Sequence, residues 1–265
     1  LKTLYPKKVF TFLETKPEEK VYEVRIHLKN VREALAKVTK IMADANVSIE
    51  TGALFYPTKD HQTGFWTLFI ETSNSTKNLK MLESELKSLD VVLDVAVEEP
   101  KPLAFDVMHF PLLHGNSRAI ILPIGVFRAL WEGFETILLP SGLEAVLYAA
   151  GKKVGEKVTI TLKEKYGVPE TELVNAILQA CQATGWGIPS IKDIDYQKNE
   201  ATLIVRECFE ALSWKRKPYK TCHWTRGYFA GMMGVIFNEL IEATETKCAS
   251  MGDEYCMFKL KKKQN

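Results

Sequence analysis

Three of the chain's five cysteines fall between position 222 and the last residue, 265, and a glutamate lies among them. Cys222, Glu245, Cys248 and Cys256 can be tested as one cluster with simple lengths. The stretch from Cys222 to about Asn238 reads as a helix, with Tyr228, Met232, Val235 and Ile236 near one face and Asn238 as a left-handed stop. Sixteen residues at ~1.5 Å each carry the chain ~24 Å away from Cys222. If 240–248 is a strand, the seven residues from Asn238 to Glu245 return it by ~23 Å at ~3.3 Å each. Glu245 and Cys248 then come back to the level of Cys222. Met251-Gly252-Asp253 reads as a hairpin tip, which sets Cys248 opposite Cys256 on one face.

Three thiolates and a carboxylate make a closed four-donor set of the kind structural zinc takes, and thiolates favour zinc over magnesium or calcium. Glu245 is the strained member. It stands three residues from Cys248, and an odd separation on a regular strand points to opposite faces. A bulge or strong twist would be needed, or His223 would substitute. The alternative is that the cysteines are small buried apolar residues. Cys181, among Ile177, Leu178 and Ala180, reads as a buried helix residue, and Cys208 as the end of a strand, outside the cluster.

The pattern Cys222…Gly227…Gly231…Glu245-x-x-Cys248…Gly252-Asp253…Cys256-x-Phe258 resembles the signature of the 4-vinyl reductase domain family. Sensors of phenol- and toluene-responsive bacterial activators carry such a domain, and the resemblance implies Zn2+ held by Cys222, Glu245, Cys248 and Cys256. It covers about residues 105–260 and is specific in its final third. It also implies an α/β fold shared with the TRAPP vesicle-tethering subunits, which use it for assembly.

Ahead of this part, alternation at period two and recurrence at helical spacing give the order βαββαβ. The strands are expected at 21–28, 47–56 (ended by Pro57), 64–72 and 91–97. Leu35, Val38, Ile41, Met42 and Ala45 mark one helix, and Leu79, Leu82, Leu86 and Leu89 the other. That order resembles the ACT domain, a module that often binds amino acids and pairs at a dimer interface. The turn after the first strand, Lys29-Asn30-Val31-Arg32, has no glycine for close backbone approach to a ligand. A structural or dimerising role is therefore preferred to amino-acid binding. The expected fold class is α+β: an ACT-like domain at 20–99 and a domain like those of the 4-vinyl reductase family and TRAPP at 103–262, with an antiparallel sheet and a zinc-bound terminal hairpin. Glu98-Glu99-Pro100-Lys101-Pro102 reads as the linker.

The formal net charge of +2 gives no reason to invoke nucleic acid or an acidic membrane, and no helix-turn-helix is evident. The basic groups at 215–220 and 259–263 read as solvated faces. No apolar run reaches the ~20 residues of a membrane span. The odd cysteine count without disulfide-like spacing points to a reducing, cytoplasmic setting. Helical apolar stripes follow at 124–134 and 143–158, with Gly142, Gly151 and Gly155 allowing close packing, and Leu173–Ala183 reads as a third helix. The stretch 151–155 lacks the spacing of a phosphate loop or dinucleotide fingerprint, and His109 and His114 flank an apolar segment that reads equally as wall or loop.

The functional expectation is a regulatory protein, most simply a homodimer, that senses a small apolar or aromatic ligand. Phe127, Trp131, Trp186, Phe209 and Tyr228 are the candidate ligand wall, although such rings more often form a filled core than a pocket. An assembly module of TRAPP type is the second reading. A reductase acting with a partner is the third, disfavoured by the missing nucleotide motif.

Overall fold

The computed structural model describes residues 12–13, 16, 19–56, 61–99, 104–105, 110–114, 117–214 and 216–264. Pro57, the linker's Pro100-Lys101-Pro102, His109 and Lys215 lie outside the described residues. The protein is mixed α/β with antiparallel sheets, and it divides into two compact units, Leu1–Ile120 and Ile121–Asn265.

The first unit has the expected element order: β1 (Val21–Lys29), α1 (Ala34–Asp44), β2 (Ser48–Phe55), β3 (Thr63–Glu71), α2 (Leu79–Ser88) and β4 (Val92–Glu98). The sheet runs β2-β3-β1-β4, each pair antiparallel. Period-two alternation turns Val24, Ile26 and Leu28 inward, and the stripes Val38–Met42 and Leu82–Leu86 cover them. The Asn78 side chain accepts the Met81 N–H at 3.0 Å, an N-cap that fixes where α2 begins.

The second unit contains α3 (Ile124–Glu135), α4 (Pro140–Ile160), α5 (Glu170–Ala183), β5 (Ile188–Asp195), β6 (Glu200–Arg206), α6 (Phe209–Leu212), α7 (His223–Phe237), β7 (Ile241–Lys247) and β8 (Cys256–Lys262). Its sheet is antiparallel, in the order β7-β8-β6-β5. Ala201, Leu203 and Val205 of β6 lie opposite Leu260, Phe258 and Cys256 of β8, and all six are buried. Helix α7 lies in this core, with Thr225 and Gly227 to Met233 buried, as a mostly apolar helix must be. It ends at Asn238 in the left-handed conformation, φ 53°, as expected from the sequence.

Helices α4 and α7 run alongside each other in the same direction at very short range. A Cβ on Gly151 would stand 2.0 Å from the Trp224 carbonyl oxygen, and one on Gly155 2.0 Å from that of Tyr228. Gly227 and Gly231 meet Tyr148 and Lys152 in the same way, at 2.1 and 2.0 Å. Hydrogen in place of a side chain is what allows this approach. Gly142 takes no part, its nearest neighbour being Leu138 Cβ at 3.9 Å. No helix among the described residues is long and apolar enough to cross a membrane.

Candidate metal centre

Cys222 is the N-cap residue of α7, Glu245 lies near the end of β7, Cys248 follows that strand and Cys256 opens β8. These chain-distant positions meet in the core. One donor atom from each of the four lies within 4.8 Å of the others, and all four residues are buried. The sulfur of Cys222 is 3.8 Å from that of Cys248 and 3.6 Å from that of Cys256. A tetrahedron with ~2.3 Å metal–sulfur bonds has edges of ~3.8 Å, so the sulfur separations fit a zinc-sized cation.

The difficulty of Glu245 is resolved by a bulge. Ile241, Ala243 and Glu245 alternate inward along β7, and the register with β8 then shifts between Glu245 and Lys247. The extra residue turns Cys248 to the same side. Cys248 and Cys256 are not a ladder pair. A short 3-10 turn, Ala249–Met251, intervenes and ends at Gly252 with φ 104°. That turn aims donors at sulfur: the Ala249 N–H reaches Cys256 Sγ at 3.4 Å, and Ser250 Oγ lies 3.0 Å from Cys248 Sγ. Such N–H and O–H groups orient metal ligands and stabilise their charged forms.

Glu245 Oε2 accepts the Cys222 N–H at 3.2 Å, while Oε1 is buried without a hydrogen-bond partner among the described residues. A buried, orphaned carboxylate oxygen is costly unless a cation or proton satisfies it. Burial, reinforced by Cys248, pushes the Glu245 carboxyl up to about 9, and burial also raises the Cys222 thiol. The hydrogen bond from Cys222 holds Cys248 far below the ordinary thiol range. Shifts of opposite sign within one cluster mark donors that share protons, which a divalent cation would displace. The donor set thus fits a thiolate-rich metal site.

His223, the alternative ligand, turns away: its Nδ1 is 3.7 Å from Glu144 Oε1, the oxygen that also accepts from Arg226 Nη2 at 2.7 Å. Cys181 is buried as expected, and burial pushes its thiol up to about 11. Cys208 departs from expectation. Its sulfur is 3.8 Å from that of Cys222, at the edge of the cluster. Strand β6 ends at Arg206, and a left-handed Glu207 (φ 52°) turns the chain back so that Cys208 caps α6 beside the start of α7. Spacing carried no signal of that turn.

The five aromatic residues of the expected ligand wall also come together. Phe127 is 5.9 Å from Trp131 and 5.3 Å from Phe209, and Trp186 is 6.2 Å from Phe209 and 5.2 Å from Tyr228, centroid to centroid. The rings leave a void of only about 10 Å³ beside Trp186, Phe209 and Tyr228. A roomier, half-open cleft of about 440 Å³ lies between α4 and the chain leading into α7. Leu138, Leu143, Leu147 and Trp214 line it together with Glu144 and Lys220, and so do Thr221 and His223, the two neighbours of Cys222.

Residues 202–262 match the 4-vinyl reductase domain. That span contains all four donors. An uncharacterised protein of Methanocaldococcus jannaschii is 29% identical over 141 residues, covering 53% of this chain and 76% of that one. Among solved structures, the phenol-responsive sensory domain of the transcription activator PoxR, with phenol, is 16% identical (TM-score 0.49), covering 56% of this chain and 78% of that one. The ACT domain from GTP pyrophosphokinase of Chlorobium tepidum is 20% identical (TM-score 0.25), covering 30% of this chain and 99% of that one.

Proposed function

We propose that the second unit is a small-molecule sensor built around a structural zinc site. Zinc bound by Cys222, Glu245, Cys248 and Cys256 would supply a redox-inert, four-coordinate cross-link with no position left for substrate. The chain's own residues do the rest. Cys222 ties the first turn of α7 to the hairpin that carries Glu245, Cys248 and Cys256. Thr221 and His223, on either side of Cys222, line the 440 Å³ cleft. That adjacency carries the reading, because a ligand in the cleft touches the residues that position a metal donor. The cleft's apolar floor suits an apolar or aromatic molecule, and its rim offers hydrogen-bonding groups. The aromatic cluster of Phe127, Trp131, Trp186, Phe209 and Tyr228 is a second place for such a ligand if its rings part.

The first unit is read as an ACT-like regulatory or dimerising domain at about residues 20–99, and the sensor as spanning about 103–262. β4 is an edge strand and exposes Leu93, a candidate surface for homodimer pairing. The setting is taken as cytoplasmic, because free buried cysteines suit a reducing compartment. The decisive experiment measures zinc per chain after purification without chelator, together with thermal stability before and after chelation. One zinc per chain and a lower melting temperature on its removal are expected; a metal-free protein whose stability chelator does not change refutes the metal reading.

A TRAPP-like assembly module is the competing reading. It is favoured by the filled aromatic cluster and by apolar side chains that α3, α4 and the turn between them leave exposed, among them Leu130, Ile137 and Val146. Native mass spectrometry separates the two, since a retained small molecule belongs to the sensor and an oligomer without one to the assembly module.

A further inference from the structure

A further thiol, Cys208, stands at the edge of the four-donor cluster. The Cys222 sulfur has three sulfur neighbours at nearly equal range: Cys208 and Cys248 at 3.8 Å, Cys256 at 3.6 Å. Each separation is close to the ~3.8 Å edge of a tetrahedral zinc–thiolate site. Cys208 Sγ also lies 3.7 Å from Thr225 Oγ1, so its sulfur has a polar neighbour besides the Cys222 thiol. Glu245 comes from the sheet and is held to the Cys222 N–H. Cys208 comes from a different element, the start of α6. Soft thiolate is at least as good a zinc donor as carboxylate.

We propose that Cys208 is a fifth donor of the metal centre, able to take the coordination position of Glu245. The site then has two ligand sets: Cys222, Cys248 and Cys256 with either Glu245 or Cys208. The exchange conserves charge. The metal–oxygen bond to Glu245 would break, a metal–sulfur bond to Cys208 would form, and the thiol proton would leave to the released carboxylate. It also has a structural consequence. Cys208 directly precedes Phe209, whose ring contacts Phe127, Trp186 and Trp224. Ligand choice at the metal would therefore shift the aromatic cluster. This inference rests on the metal reading above.

The test counts sulfur neighbours by X-ray absorption at the zinc edge in the full chain, for wild type, E245A, the near-isosteric E245Q, C208S, and E245Q/C208S. Wild type and C208S should both show three sulfurs and one lighter atom. E245A and E245Q should keep one zinc and show four sulfurs. E245Q/C208S should bind zinc at least ~100-fold more weakly than E245Q, beyond the loss expected for a supporting residue. Three sulfurs in both Glu245 variants, equal zinc affinity in E245Q and the double variant, or failure of both Glu245 variants to fold with zinc while C208S folds would each overturn the proposal. A wild type without zinc overturns the metal reading and this inference together, whereas the other failures strike this inference alone.

Discussion

Glu210 is a fully buried carboxyl group outside the Cys222-Glu245-Cys248-Cys256 cluster. It accepts the backbone N–H groups of Trp224 at 2.9 Å and Thr225 at 2.8 Å, and so caps the first turn of α7 from another element. Burial, assisted by the nearby Cys208, pushes its carboxyl up to about 8. The sign of the pH effect follows. A folded-state value above the ordinary 4.5 means that the unfolded chain loses this proton first. The contribution of the neutral form is complete below about 4.5 and is lost as pH rises through about 8. Wild-type stability should therefore fall between pH 5 and 8 relative to E210Q, which cannot titrate. E210Q gives up one acceptor and should be less stable at pH 5 by ~1–3 kcal/mol, with the gap narrowing toward pH 8. Urea unfolding across that range checks it, and a constant gap would disprove the assignment. At this same scale the sequence was only partly legible. The clustering of Cys222, Cys248 and Cys256 could be found by spacing and that of Glu245 from the family resemblance, but Cys208 and Glu210 could not, because both reach α7 through a turn at Glu207 that has no glycine to announce it.

Helices α3 and α4 show how one kind of residue has opposite value at different places. Gly155 faces the backbone of α7, where an added Cβ would stand 2.0 Å from an oxygen that cannot swing aside. Gly133, in α3, has nothing within 4 Å. G155A should force the helices apart and cost at least ~1–3 kcal/mol. G133A should add ~0.5–1 kcal/mol by removing backbone freedom from the unfolded chain. Denaturation midpoints of the two variants should move in opposite directions, and a neutral G155A would mean that the helix pair has slack. Elements with strong periodicity were readable: α1, α2, α7 and the strands of the first sheet lie within a residue or two of their expected bounds, and α5 starts three residues earlier than expected and ends where expected. Strand β5 was not foreseen. Its segment Ile188-Pro-Ser-Ile-Lys-Asp-Ile-Asp lacks clean alternation and contains proline, which a sheet tolerates at an edge, and β5 is an edge strand. The bulge after Glu245 was legible only as a requirement: the donor spacing demanded one, while nothing in Thr246 or Lys247 marks it.

For the whole molecule, the sensor and assembly readings differ in what fills the cleft beside Cys222. Its floor of Leu138, Leu143, Leu147 and Trp214 is apolar, and burial lowers the protonation of His223 at its rim. A neutral imidazole beside Glu144 suits an uncharged molecule that carries a hydroxyl group, such as a phenol, better than a carboxylic acid. A ligand specific to the folded state raises stability by ~2.7 kcal/mol at a hundredfold excess over its dissociation constant. A thermal-shift screen of phenols, indoles, aromatic acids and short fatty acids should therefore yield positives concentrated among uncharged hydroxylated rings. S141W places a bulky ring in the cleft from an exposed position near the start of α4. It should leave the ligand-free stability within ~0.5 kcal/mol, as surface changes usually do, and abolish the ligand-induced shift. A shift that survives S141W but disappears in F209A would move the binding site to the aromatic cluster. If no compound raises the melting temperature and light scattering shows a stable oligomer without bound small molecule, the sensor reading fails and the exposed apolar faces of α3 and α4 become the functional surface.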